Sequence, residues 1–429
     1  MARGRSNQMA DAAKEAQRGF ALHKTLPMVI NNLYHQLKGE EMYIPVLSGH
    51  PGIGKTAHAK MICKQMGLQM YYVSMCKPME FFSGLPAINS TTFTDDSSDL
   101  YVRWSEPEMI HHANKLAREA KSKNMNGCMI FMDDIHIMSP DVQKNFFELV
   151  LERKLGNFKL DDNVCMLGAM NSSTLAGFDG YLSAINNRLQ SIPVYMDFKY
   201  WYNNCGAELN PLIAGYVRNF QDSLEEDENT ETAFATYRSW SMLSRLLDTV
   251  YKQYLESHDN NWFLDQVYMY ACTMMSTKLA QQLKNNISQQ LNFNFEQMVS
   301  DNRYYIDRDD PISQFCFGNI VRYMRNKQDV ENLTDYIIKL VKSSNGSEYN
   351  NAIINVMYEA LSFITYYRSK TDEESKKKFQ LYNLITSSLF NKGDGKIHGL
   401  IRSLLSGPSA ITETRSELHK LEDNAANNK

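Results

Sequence analysis

Residues 49–58 read GHPGIGKTAH and follow directly on the apolar run Tyr43-Ile-Pro-Val-Leu-Ser48. Gly49, four residues, then Gly54, Lys55 and Thr56 fit the pattern GxxxxGK(S/T) in full. The context that gives this pattern meaning is also present: a strand-like run before it and a helical segment, Lys55 to Met66, after it. In such a loop the glycines let successive backbone N–H groups turn inward on phosphate oxygens. The helix that starts there adds its N-terminal dipole. Gly49, His50, Pro51, Gly52, Ile53, Gly54, Lys55, Thr56 and Ala57 therefore form the expected phosphate cradle. Lys55 would reach the outer phosphates, and the Thr56 hydroxyl would take a place on Mg²⁺.

A phosphate loop alone hydrolyses nothing, so an acid must lie elsewhere. Cys128-Met-Ile-Phe-Met132 is an apolar run ending in Asp133 and Asp134. This arrangement predicts Asp133 beside the magnesium and Asp134 orienting the attacking water. A second run, Val164 to Ala169, leads to the amide Asn171, which would hold the water or the terminal phosphate. Arg188, in Asn187-Arg-Leu189 before the strand-like Ile192 to Met196, has two readings: a surface salt bridge, or a side chain that projects into a neighbouring subunit's nucleotide.

Strand-like and helical segments alternate from about residue 25 to 200. Helices are predicted at Leu26–Leu37, Lys55–Met66, Glu106–Ser122 and Ser139–Arg153, and strands at Tyr43–Ser48, Met70–Met75, Cys128–Met132, Val164–Ala169 and Ile192–Met196. Such alternation implies an α/β fold, a parallel sheet with helices on both faces. Beyond Asp197 the periodicity is helical throughout. Stripes such as Phe317…Ile320…Tyr323 and Ile353…Met357…Leu361…Ile364 read as helix core. The acidic stretch 222–228 reads as a solvated loop, and the polar end from Ser406 as a tail.

Composition narrows the classes. The chain has 429 residues, enough for two or three domains. Its 45 basic and 49 acidic side chains leave a net charge of −4, which speaks against a nucleic-acid coat. No stretch approaches the roughly 18 consecutive apolar residues of a membrane span. The N-terminus has no apolar signal segment, and the 7 cysteines show no paired spacing. Buried free thiols in a reducing cytoplasm are the expectation.

With these motifs in hand, the sequence resembles AAA+ ATPases, and among them the MoxR branch. Phe82-Ser-Gly-Leu-Pro86, Trp104-Ser-Glu-Pro107 and the helix Asp141-Val-Gln…Leu151-Glu-Arg153 are similar to that branch's conserved segments. Asn171 matches its sensor 1, Asn187-Arg188 its arginine finger, and Tyr237-Arg238-Ser-Trp240 the segment whose arginine, here Arg238, is sensor 2. The resemblance spans about residues 25 to 255. It departs at Asp134, where most relatives carry glutamate, at Tyr237 in place of a proline, and in the polar stretch 88–99, which reads as an insertion.

The resemblance implies an AAA+ P-loop αβα core, followed by an all-helical lid and a helical C-terminal domain. The expected boundaries are 1–24 for an N-terminal extension, 25–200 for the core, 201–295 for the lid, 296–405 for the helical domain and 406–429 for the tail. It implies an ATP- and Mg²⁺-dependent homo-oligomeric ring, a hexamer, that remodels a client protein in the cytoplasm through a von Willebrand factor A domain adaptor. Two alternatives stay open: a nucleic-acid-directed ATPase of helicase-loader or translocase type, and an ATP-binding scaffold with little turnover.

Overall fold

The structure is a computed structural model, and it describes residues 19–88, 102–171, 188–221, 224–226, 233–307, 310–343, 349–393, 395 and 397–399. The terminal segments 1–18 and 406–429, most of the inserted stretch 88–99, and Asn187 lie outside the described residues. The chain divides into two compact units, Met1–Met196 and Asp197–Lys429.

Unit one is built as β1 (Phe20–Ala21), α1 (Leu26–Leu37), β2 (Ile44–Ser48), α2 (Lys55–Met66), β3 (Leu68–Ser74), α3 (Met79–Ser83), β4 (Pro86–Ile88), β5 (Val102–Trp104), α4 (Glu108–Ser122), β6 (Gly127–Asp133), α5 (Pro140–Glu152), β7 (Lys154–Leu155), β8 (Phe158–Lys159), β9 (Val164–Met170) and β10 (Leu189–Tyr195). Among the described residues, six strands form one sheet in the order β1-β10-β2-β9-β6-β3, and every pairing in it is parallel. The predicted parallel α/β core is present. β4 with β5 and β7 with β8 make two small antiparallel hairpins.

The sheet is covered on both faces, as strands with apolar residues at every position demand. Cys128, Ile130 and Met132 of β6 join α4 and α5 in one core, with Met109, Ala113, Val142 and Phe146. The alternate residue Met129 faces the opposite side, where its sulfur meets Cys63 of α2 at 3.9 Å. Cys63, Cys128, Cys165 and Cys316 are buried free thiols, Cys205 and Cys272 are half-buried, and Cys76 is exposed. Burial pushes the Cys63 and Cys128 thiols up to about 12.

Helix ends follow local chemistry. α1 carries a proline in its first turn. α2 stops at Gly67, whose φ of 63° lies in the left-handed region. α5 starts at Ser139, whose side chain accepts from the Val142 N–H.

Unit two is helical: α6 (Phe198–Cys205), α7 (Pro211–Asn219), α8 (Tyr237–Ser257), α9 (Asn260–Cys272), α10 (Thr277–Gln290), α11 (Phe295–Ser300), α12 (Pro311–Cys316), α13 (Lys327–Ser343), α14 (Asn350–Arg368) and α15 (Glu373–Lys392). The apolar stripes read from the sequence form its core: Phe317, Ile320, Ile353, Met357 and Ile364 are buried in one cluster. Among the described residues, no helix is long and apolar enough to cross a membrane.

Two polar features hold this unit together. Glu359 of α14 is fully buried, with its Oε2 2.8 Å from Arg218 Nη1 and its Oε1 2.5 Å from Arg322 Nε. The second contact is a buried ion pair. The Tyr202 hydroxyl also donates to Glu359 Oε2, at 2.6 Å. Burial opposes the charge on both arginines, but the Glu359 carboxylate outweighs it, so both stay protonated above their ordinary range. The other feature corrects an expectation. Within the acidic stretch read as solvated, Leu224 is buried, and Glu226 accepts from the Ala235 and Ser276 N–H groups at 2.8 and 3.0 Å. Here the carboxylate serves as an internal acceptor for backbone donors that would otherwise lack partners.

Candidate nucleotide site

β2 delivers the chain into the glycine loop, and two glycines explain why the loop can form. Gly54 caps α2 with φ 92°, a conformation that L side chains rarely adopt. At Gly49 a Cβ would sit 2.3 Å from the Val194 carbonyl oxygen, so β10 leaves no room for one. The Lys55 side chain folds back under the loop and is buried. Its ammonium donates to the carbonyls of Gly49 (2.7 Å) and His50 (3.0 Å) and to Asn171 Oδ1 (3.1 Å). These are hydrogen bonds that phosphate oxygens, as charged acceptors, can replace at the same ammonium.

Asn171 follows β9 and Asp133 ends β6; in the sheet β9 lies beside β2, and β6 lies beside β9. The parallel register therefore brings the ends of all three to the mouth of the loop, where open parallel sheets bind ligands. Thr56 Oγ1 donates to Asp133 Oδ2 at 3.3 Å. Asp134 occupies the left-handed region, with φ 59° and ψ 42°, and its N–H donates to Asp133 Oδ1 at 3.1 Å. A non-glycine residue there is uncommon, and aspartate tolerates it better than most. Thus Lys55, Thr56, Asp133, Asp134 and Asn171 are gathered at one place.

Thr56 and Asp133 supply a hydroxyl and a carboxylate side by side, hard oxygen donors of the kind Mg²⁺ takes one or two of while phosphates and water fill the rest. Among the described residues, no group of three or more His, Cys, Asp or Glu could hold a metal by itself. The pair fits an ion that arrives with its nucleotide.

Arg188 is not part of this cluster. It precedes β10, its carbonyl accepts from the Ile44 N–H at 2.9 Å, and its guanidinium pairs with Glu41. Leu189 stands opposite Ile44 and Pro193 opposite Ser48, so Arg188 lies at the end of the sheet where β2 begins. The glycine loop leaves from the other end, roughly 16 Å away at 3.3 Å per residue. Arg238 belongs to unit two, where it is the exposed second residue of α8 behind a Thr236–Ser239 capping box.

Two neighbours of the cluster escaped the sequence reading. The Tyr72 hydroxyl donates to Asp133 Oδ2 at 3.2 Å. The Asn171 N–H points at His136 Nδ1, 3.4 Å away. Period-two alternation in β3 could have put Tyr72 on the face of Phe131, but nothing in the sequence announces His136.

Fold and site define a P-loop nucleotide-binding domain of αβα architecture. Residues 45–192, within unit one, match the family described as ATPase family associated with various cellular activities (AAA). No curated protein matches the chain. Among solved structures, it is similar to the Thermotoga maritima RuvB K64R mutant (13% identity, 65% of this chain and 74% of that one, TM-score 0.33). It is also similar to the Thermotoga maritima RuvB Holliday junction branch migration motor (13% identity, 85% and 87%, TM-score 0.31) and to an ATPase candidate from Cytophaga hutchinsonii (12% identity, 92% and 94%, TM-score 0.27).

Proposed function

We propose that the protein is an ATP-hydrolysing remodelling ATPase of the MoxR type that works as a ring, a hexamer, on a client protein in the cytoplasm. The observation that carries this reading is the division of the catalytic groups. Lys55, Thr56, Asp133 and Asn171 meet at the loop, while Arg188 stands at the far end of the same sheet. An arginine so placed has no path to its own protomer's phosphates, and a second copy is what it can serve.

In this reading the loop amides and Lys55 bind and orient the phosphates. Mg²⁺ held by Thr56 and Asp133 would neutralise phosphate charge. Asp134 orients the attacking water, Asn171 positions the outer phosphate, and Arg188 offsets transition-state charge in trans. Arg238 keeps the sensor role its motif implies. A von Willebrand factor A domain adaptor remains the implied intermediary to the client.

The test is phosphate release measured against protein concentration. A cooperative rise, lost in both Lys55→Ala and Arg188→Ala, supports the ring ATPase. Binding of ATP without release of phosphate, with or without DNA, would point to a scaffold whose Asp134 is silent. Strong stimulation by DNA would favour a nucleic-acid machine instead.

A further inference from the structure

We propose that Tyr72 is a positioning residue for the Asp133 carboxylate, and through it for the hard divalent cation that a nucleotide brings to this site. The proposal rests on the nucleotide reading above and assigns a role to a residue outside its motifs.

β3 is an edge strand of the described sheet and pairs with β6 in the register Tyr72↔Phe131 and Ser74↔Asp133. Side chains alternate along a strand, so Tyr72, Phe131 and Asp133 share one face while Val73 and Met132 share the other. Val73 and Met132 belong to the α4–α5 core, which leaves Tyr72 and Asp133 on the face that α2 covers. Thr56 comes from α2 itself. Three elements thus converge on one carboxylate. Oδ2 accepts from Thr56 Oγ1 (3.3 Å) and from the Tyr72 hydroxyl (3.2 Å), and Oδ1 accepts from the Asp134 N–H (3.1 Å).

The Tyr72 ring leans on Phe131 with centroids 6.1 Å apart, yet the residue stays 49% exposed. Phenylalanine would make the same ring contact, so the hydroxyl is the part specific to Asp133. Its effect is angular. With donors on both oxygens, rotation of the carboxyl group about its own bond is fixed before any cation arrives. Mg²⁺ demands near-ideal octahedral geometry, so a carboxylate already turned the right way lowers the cost of placing it.

The experiment uses the full chain and a fluorescent ATP analogue, titrated with Mg²⁺ and separately in EDTA. For Tyr72→Phe, the Mg²⁺ concentration at half-saturation is expected to rise about tenfold, the range seen when outer-shell partners of a metal ligand are removed. Metal-free nucleotide affinity and the melting temperature of the free protein are expected to stay at the wild-type values. An unchanged Mg²⁺ midpoint overturns the proposal. So does a parallel loss of metal-free affinity and melting temperature, which would mark a packing role. If the wild type binds no nucleotide at any Mg²⁺ concentration, the nucleotide reading falls first and this proposal with it.

Discussion

The Lys55 ammonium and the Asn171 carboxamide oxygen lie 3.1 Å apart and join the glycine loop to the neighbouring strand β9. The residue that binds phosphate and the residue that would sense it are thereby linked before any ligand is present. Asn171→Ala should leave ATP affinity within about threefold of wild type while turnover falls about 10²-fold, as when one preorganised polar group is removed from a transition state. Lys55→Ala should lose binding itself. Equilibrium binding and single-turnover phosphate release separate the two outcomes.

Arg188 and the glycine loop occupy opposite ends of the sheet, which makes mixed assemblies informative. Lys55→Ala subunits retain Arg188, and Arg188→Ala subunits retain an intact loop. Each variant alone should turn over ATP at least about 10²-fold more slowly than wild type, since arginine fingers contribute 10³-fold or more in well-studied cases. Mixing the two should restore part of the rate. Strictly additive, near-zero rates in the mixture would place Arg188 outside catalysis.

His58, in the first turn of α2, is buried, and its Nε2 has no hydrogen-bond partner. Desolvation, helped by His23, lowers its pKa from 6.5 to about 4. The unfolded chain therefore takes up a proton between these values that the folded chain refuses. Stability is complete above about 6.5, falls as pH drops toward about 4 and then levels. The total loss is about 3 kcal/mol from this group. Urea unfolding at pH 7, 5.5 and 4.5 should show that fall, and His58→Leu should flatten it.

Glu359 balances Arg218 and Arg322 in the interior of unit two. Removing one member of a buried ionic cluster leaves uncompensated charge and costs about 3–5 kcal/mol. Glu359→Gln should lower the stability of unit two by that amount in denaturant titrations. A change below about 1 kcal/mol would mean that water reaches the arginines.

The sequence carried the large elements because they repeat. The predicted helices at 26–37 and 55–66 match α1 and α2 residue for residue: α1 has an apolar stripe and a proline in its first turn, and α2 is bounded by Gly54 and Gly67. The glycine loop, Asp133 and Asn171 were legible for a related reason: each follows an apolar strand, and parallel strands bring their ends together. What stayed hidden depends on pairing rather than pattern. β1, β7 and β8 are two residues each, too short for any periodicity to show. Tyr72 finds Asp133 through a cross-strand register, and Glu359 finds Arg218 from 141 positions away. The left-handed turn at Asp134 is a backbone property that a strand ending in two aspartates does not reveal.

The placement of the thiols gives the molecule a built-in handle. Cys63, Cys128 and Cys165 lie inside the sheet layers with their thiols driven up by burial, so at neutral pH they present almost no thiolate to a reagent. Cys76 is exposed two residues past the end of β3, the strand whose Tyr72 touches Asp133. A maleimide dye applied to the unaltered protein would react first at that corner, ahead of the half-buried Cys205 and Cys272, and leave the thiols of the sheet layers untouched.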